Sequence, residues 1–272
     1  MRRALPLLLL AALLGGCAQP LRHLADEAQL SSRDLRVLPT TPFPLQAVLP
    51  ARIEGRVLRV YLEGDGYAWA TPFQPSLDPT PRDLLVARLA SQDPRGAVYL
   101  ARPCQFVSHA DCKPLLWTDQ RFSRPVLDSL HDALDRLKRR YGSTHLELVG
   151  YSGGGTLALL LAAERDDVAE VQTLAGNLHP SAWIDHHRLS PLNGSLDPLA
   201  YRERLRHLPQ RHLTGASDRV VPPLLAQRYA EALKRADCLW IHTVAASHNE
   251  GWEAAWATWR QQPLNCAPAQ KP

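Results

Sequence analysis

Gly150-Tyr151-Ser152-Gly153-Gly154 stands between two apolar stretches, Leu146-Glu147-Leu148-Val149 and Thr156-Leu157-Ala158-Leu159-Leu160-Leu161. The first reads as a strand and the second as a helix, so the serine must occupy a sharp strand-to-helix turn with strained backbone. The flanking glycines remove side chains that would clash in such a turn. Average composition would produce Gly-x-Ser-x-Gly by chance in roughly one chain of this length in ten to twenty. The setting between strand and helix is therefore what makes it informative. A phosphate loop is a poorer reading, because no Gly-Lys-Ser or Gly-Lys-Thr follows.

The rest of the chain alternates in the same way. Arg56–Leu62, Ala97–Ala101, His145–Val149, Val168–Leu174, Leu208–Leu213 and Leu239–Val244 read as strands. Arg82–Ala90, Pro223–Arg235 and Trp252–Trp259 read as helices. So does a segment in which Val126, Leu127, Leu130, Ala133, Leu134, Leu137 and Tyr141 recur at helical spacing, with Ser123 as its N-cap, Pro125 in its first turn and Gly142 as its stop. Short strands alternating with helices specify an α/β fold with a mostly parallel central sheet covered on both faces. In such sheets ligands bind beyond the carboxyl ends of the strands, so reactive groups should directly follow strands.

The N-terminus adds a location. Arg2 and Arg3 precede the apolar run Ala4–Leu14, which is too short to span a bilayer as a helix. It ends in Leu14-Gly15-Gly16-Cys17, which resembles a bacterial lipobox. The resemblance implies a signal peptide over 1–16, cleavage before Cys17 and acylation of that cysteine. Gln19, in place of an aspartate, favours the outer membrane by resemblance to lipoprotein sorting rules. Residues 17–44 mix polar residues with prolines and read as a tether with a short helix around 21–30. Residues 45–262 read as the folded domain and 263–272 as an irregular tail.

An exported chain meets an oxidising compartment, and Cys104, Cys112, Cys238 and Cys266 remain beside Cys17. Four cysteines allow three pairings. Cys104–Cys112 is favoured as a staple across one loop. Cys238–Cys266 is favoured because a strand leaves Cys238 and a helix runs back toward it. No pair has the Cys-x-x-Cys spacing of zinc ligands. The net charge of +4 includes Arg2 and Arg3; without them about +2 remains, far from a nucleic-acid footprint.

A serine hydroxyl needs a base, and the base an orienting acid. Gly215-Ala216-Ser217-Asp218-Arg219-Val220-Val221 follows one strand, and Ser247-His248 follows the last. Taken with Gly-Tyr-Ser-Gly-Gly, these are similar to the three motif regions of the α/β-hydrolases over about residues 52–260. The resemblance implies Ser152 as nucleophile, His248 as base and then acid, and Asp218 as the group that holds the imidazole. It also places Tyr61-Leu62-Glu63-Gly64-Asp65-Gly66 at the family's oxyanion loop, with Glu63 where a histidine is common. The backbone N–H groups of Gly153 and Asp65 are the implied oxyanion donors. No metal or organic cofactor is implied, and the partners are a small-molecule or lipid acyl substrate and the membrane through the lipid anchor.

Several residues carry rival readings. Asp197 is the alternative acid, although it precedes the strand that should deliver one. Asp65 could instead bind substrate or bond within its turn. His242 reads as a core or face residue. His186 and His187 beside Asp185 read as a solvated loop rather than a metal site, since adjacent side chains point apart in most conformations. Trp252, Trp256 and Trp259 recur as a buried helix face. Residues 177–207, with Trp183, read as an insertion over the strand ends, either a partial lid or plain packing. The functional expectation is an exported serine hydrolase of acyl bonds. Its alternatives are a silent hydrolase fold used for envelope binding, and an acyltransferase using the same triad.

Overall fold

The computed structural model describes residues 19–264 and Cys266; the expected signal peptide, Cys17 and most of the tail lie outside the described residues. In chain order the elements are α1 (Gln19–Leu30), β1 (Asp34–Leu38), β2 (Leu45–Leu49), β3 (Val57–Leu62), β4 (Trp69–Thr71), β5 (Gln74–Pro75), α2 (Leu85–Ser91), β6 (Val98–Leu100), α3 (Arg124–Tyr141), β7 (His145–Tyr151), α4 (Gly153–Glu164), β8 (Val168–Leu174), α5 (Pro180–His187), α6 (Arg202–Leu205), β9 (Gln210–Gly215), α7 (Pro223–Leu233), β10 (Leu239–Val244) and α8 (Trp252–Trp259). Eight strands form one sheet in the order β1-β2-β6-β3-β7-β8-β9-β10, and β4 pairs with β5 alone. From β6 to β10 every pairing is parallel, while β1–β2 and β2–β6 are antiparallel.

The two-residue period of a strand sorts the core onto two faces. Leu58, Val60 and Leu62 of β3 and Leu146 and Leu148 of β7 pack with α3, α4 and α7. Tyr61, Val149, Leu174 and Leu213 point the other way and pack with α1, α2 and α8. Residues 153–162 of α4 are buried all round, as an apolar helix without a polar face must be. Trp252 and Trp256 are buried in the second core and Trp259 packs against it, as their spacing predicted.

Three sequence expectations need correction. The segment 17–44 is not a tether from Gln19 onward. α1 buries Leu24 and Ala28, one turn apart on one face, and β1 pairs with β2 over five positions. Pro39, Pro42 and Pro44 flank these strands instead of dissolving them. The folded body therefore includes α1 and β1 and does not begin at residue 45. Ser123 does occupy the N-cap of α3, but its hydroxyl makes no capping bond. Finally, His186 and His187 lie in α5 rather than in a loop. Their rings touch edge to face at 4.8 Å, and His187 Nε2 approaches the Val220 carbonyl at 2.8 Å.

A buried polar network fastens α8 and residues 260–263 after it to the sheet. Arg59 on β3 donates to both carboxylate oxygens of Glu147 at 3.0 Å, to Asp93 at 2.8 Å and to the Arg260 carbonyl at 2.9 Å. Tyr61 donates to Asp93 at 2.7 Å and accepts from Trp256 Nε1 at 2.7 Å. Arg211 reaches the carbonyls of Trp259, Gln262 and Pro263 at 2.9–3.1 Å. The buried Arg59 charge is offset by two carboxylates, as a buried charge requires, whereas Arg211 rests on carbonyl acceptors and leaves its Nε without a partner among the described residues.

Glu170 is the uneasy member of this network. Burial, then the neighbouring Glu147 carboxylate, push its pKa well above the usual range, to about 8. A carboxyl whose folded pKa is raised is protonated in the fold while the unfolded chain ionises. Its contribution is therefore complete below the unfolded pKa and is lost as pH rises through the folded one. Glu170→Gln should leave Tm unchanged near pH 4.5 and raise it by roughly 2–4 °C at pH 8, measured by thermal melts across that window. A larger gain at the acidic end would contradict the assigned sign.

Candidate active site

Ser152 follows β7 directly and has φ 51° and ψ −122°, a strained conformation for a residue with a side chain. Three backbone bonds impose it: Ser152 N–H donates to the Leu174 carbonyl, while the Ser152 carbonyl accepts from Gly155 and Asn177, each at 3.0 Å. A Cβ at Gly150 would collide with the Gly154 carbonyl, and one at Gly154 with the Leu62 carbonyl. Both glycines are thus required for strand and helix to meet at this angle.

Asp218 lies after β9 and His248 after β10, beyond the carboxyl ends of neighbouring parallel strands. His248 Nε2 is 3.1 Å from Ser152 Oγ, and His248 Nδ1 is 2.9 Å from Asp218 Oδ2. The other oxygen of Asp218 accepts from the backbone N–H groups of Val220 and Val221, each at 2.8 Å. Its carboxylate is buried, so it is both fixed in direction and cut off from water. The His248 carbonyl accepts from Tyr151 Oη and Trp252 Nε1, each at 2.8 Å, which pins the histidine between β7 and α8. With its proton on Nδ1, the ring has Nε2 free to accept from the serine hydroxyl.

The segment Glu63–Gly66 passes beside the serine. Its Gly64 would put a Cβ 3.3 Å from that of Ser152. The backbone N–H groups of Gly153 and Asp65 have no protein acceptor among the described residues, as two oxyanion donors require. Of the two other readings open from sequence, a bond within its own turn is not made by the Asp65 side chain among the described residues, and the side chain does line the cavity at Ser152. It forms ion pairs with Arg102 and, at 2.8 Å, with Arg121. Burial alone would raise its pKa, but the Arg121 and Arg102 guanidinium groups outweigh that and hold it below the usual carboxylate range. Glu63 is fully buried and accepts from Gly64 N–H and Tyr99 Oη, each at 2.8 Å. Burial pushes its pKa up to about 7.

Gln105 braces the same segment by donating to the Gly64 carbonyl at 3.1 Å. It is adjacent to Cys104, which is bonded to Cys112 with Cα atoms 5.7 Å apart. Cys238 and Cys266 form the second disulfide, with Cα atoms 5.5 Å apart. Both favoured pairings are the ones present.

The serine opens onto a cavity of 410 Å³ that is lined, among others, by Asp65, Arg121, Tyr151, Asn177, Trp183 and His248. Asn177 and Trp183 come from the 177–207 segment. The Trp183 indole donates to the Val220 carbonyl at 2.7 Å, tying that segment to the Asp218 loop. Arg102, Arg121, Asn177 and Tyr151 were not singled out from sequence as site residues. Only Tyr151, inside the motif, carried a local signal. Asp197, the rival acid, accepts instead from Ser181 Oγ and from Leu199 N–H at the start of a 3-10 turn. His242 stacks between Trp240 and Trp259, as a face residue should.

The chain has the α/β-hydrolase fold. Its fold is similar to that of a Klebsiella pneumoniae protein assigned as a dienelactone hydrolase (TM-score 0.56, 18% identity, 84% of this chain and 95% of that one). It is also similar to the Pyrococcus furiosus esterase Pf2001 (TM-score 0.59, 13% identity, 85% and 89%). A third likeness is to Pyrococcus horikoshii acylaminoacyl peptidase (TM-score 0.56, 12% identity), where 82% of this chain matches 38% of the longer one. No protein-family model and no curated protein matches the sequence.

Proposed function

We propose that the protein is an exported, membrane-tethered serine hydrolase that cleaves an ester or related acyl bond. The observation that carries this is the continuous relay from Ser152 Oγ through both nitrogens of His248 to a buried Asp218 carboxylate, at 3.1 and 2.9 Å. Ser152 Oγ attacks the acyl carbonyl while His248 Nε2 takes its proton. Asp218 stabilises the imidazolium. The oxyanion rests on the N–H groups of Gly153 and Asp65. As the tetrahedral adduct collapses, His248 returns the proton to the leaving group, and Ser152 is left acylated. Water then enters, activated by the same histidine, and releases the acid.

The location rests on Cys17 and its lipobox-like surroundings. No described helix is long and apolar enough to cross a membrane, and two disulfides suit an oxidising compartment. The reading predicts turnover of p-nitrophenyl acyl esters with a pre-steady-state burst of about one equivalent per chain, the mark of an acyl-enzyme. A folded protein with no turnover on any chain length would instead be a silent hydrolase fold.

A further inference from the structure

The hairpin β4–β5 belongs to no other sheet and presents apolar side chains to the outside. Phe73 at its turn is 94% exposed and Leu77 just after it is 91% exposed, while Trp69 is 39% exposed. Single exposed apolar residues need no explanation, but two large ones almost fully exposed on one short element do. The hairpin is not loose. Ser76 N–H donates to the Ala68 carbonyl at 2.9 Å, Tyr67 N–H to the Pro79 carbonyl at 3.0 Å, and Trp117 Nε1 to the Ser76 carbonyl at 3.1 Å. The protein therefore fastens the base of the hairpin to its body and leaves an apolar tip in the open.

Two further observations say what covers it. At one end the hairpin is continuous with the Ser152 cavity, whose wall includes Tyr67, Trp69 and the exposed Val220. At the other end Leu77 shares a groove with Pro20 and Leu21, the residues that open α1. The described chain starts at Gln19, and Cys17 lies two residues earlier, so its reach from Gln19 is at most about 7 Å. A lipid on that cysteine would enter a bilayer beside the hairpin.

We propose that β4–β5, with its flanks Trp69 and Leu77, is a membrane-contact surface that sets the mouth of the Ser152 cavity against the lipid holding the anchor. The substrate is then a long-chain acyl ester presented at that bilayer. Phe73 and Leu77 sit among acyl chains, while Trp69 and Tyr67, with the Arg82 guanidinium over the Tyr67 ring, lie at headgroup depth. The substrate assignment rests on the hydrolase reading of Ser152, and the orientation on the acylation of Cys17.

The test uses the full processed chain in vesicles of phosphatidylethanolamine and phosphatidylglycerol, with and without bromine on the acyl chains. Bromine should quench a component of fluorescence present in the wild type and missing from Trp69→Phe. Phe73→Ser combined with Leu77→Ser should abolish that quenching. It should slow hydrolysis of a vesicle-embedded long-chain ester at least about fivefold, with hydrolysis of soluble p-nitrophenyl acetate unchanged. Absence of Trp69 quenching in a wild type that stays with the vesicles and reacts with a fluorophosphonate overturns the surface and leaves the hydrolase reading standing. If the wild type does not react with fluorophosphonate, the hydrolase reading fails, and quenching alone decides the membrane contact.

Discussion

Ser152→Ala is expected to lower kcat by about 10⁴- to 10⁶-fold, with the melting temperature close to that of the wild type. In the proposed mechanism the hydroxyl becomes bonded to the acyl group, and among the described residues no other nucleophile is bonded to the His248 nitrogen that faces it. The backbone strain at position 152 is imposed by Leu174, Gly155 and Asn177 through main-chain bonds, which alanine keeps. Loss of activity should therefore come without loss of fold. Residual rate above water would come from the oxyanion donors and from binding in the 410 Å³ cavity. Steady-state kinetics beside a thermal melt separates the two effects; retained kcat would remove Ser152 from the mechanism.

Asp218→Asn is expected to cost about 10³- to 10⁴-fold in kcat while KM changes little. The direction follows from the two N–H groups of Val220 and Val221, which hold one carboxylate oxygen at 2.8 Å each. An amide at this position must give those donors its oxygen. Its NH₂ group then faces His248 Nδ1, where the carboxylate now accepts a hydrogen bond at an N···O distance of 2.9 Å. Nδ1 becomes an acceptor, the proton moves to Nε2, and the base facing Ser152 is lost through the wrong tautomer. Because the three groups act as one unit, the double variant Ser152→Ala with Asp218→Asn should be no slower than Ser152→Ala alone. A Asp218→Asn enzyme within tenfold of the wild type would show that the carboxylate does not orient the ring.

That Ser152, Asp218 and His248 come together was legible because each follows a strand with a strong apolar pattern, and parallel sheets bring strand ends together. Val168–Leu174, Leu239–Val244 and Trp252–Trp259 have the bounds their patterns gave. The antiparallel edge was not legible. β1 has a mixed, half-exposed pattern, and β2 hides Gln46 among apolar residues. That glutamine is satisfied by the Arg36 carbonyl at 2.8 Å, a partner visible only once β1 is in place. The Asp65 cluster was hidden for the same kind of reason. Arg102 and Arg121 arrive from separate loops, so nothing local to residue 65 announces two guanidinium partners. The Glu63 carboxylate likewise accepts from Tyr99 in β6, a strand that pairs with β3 but carries no motif of its own.

One hydroxyl in this chain is expected to form the covalent bond to the acyl group, and a fluorophosphonate reports that hydroxyl directly. Intact-protein mass followed by peptide mapping should show one adduct per chain, on the peptide that contains Ser152, and none in Ser152→Ala. An adduct on any other residue, or undiminished labelling of that variant, would contradict the account.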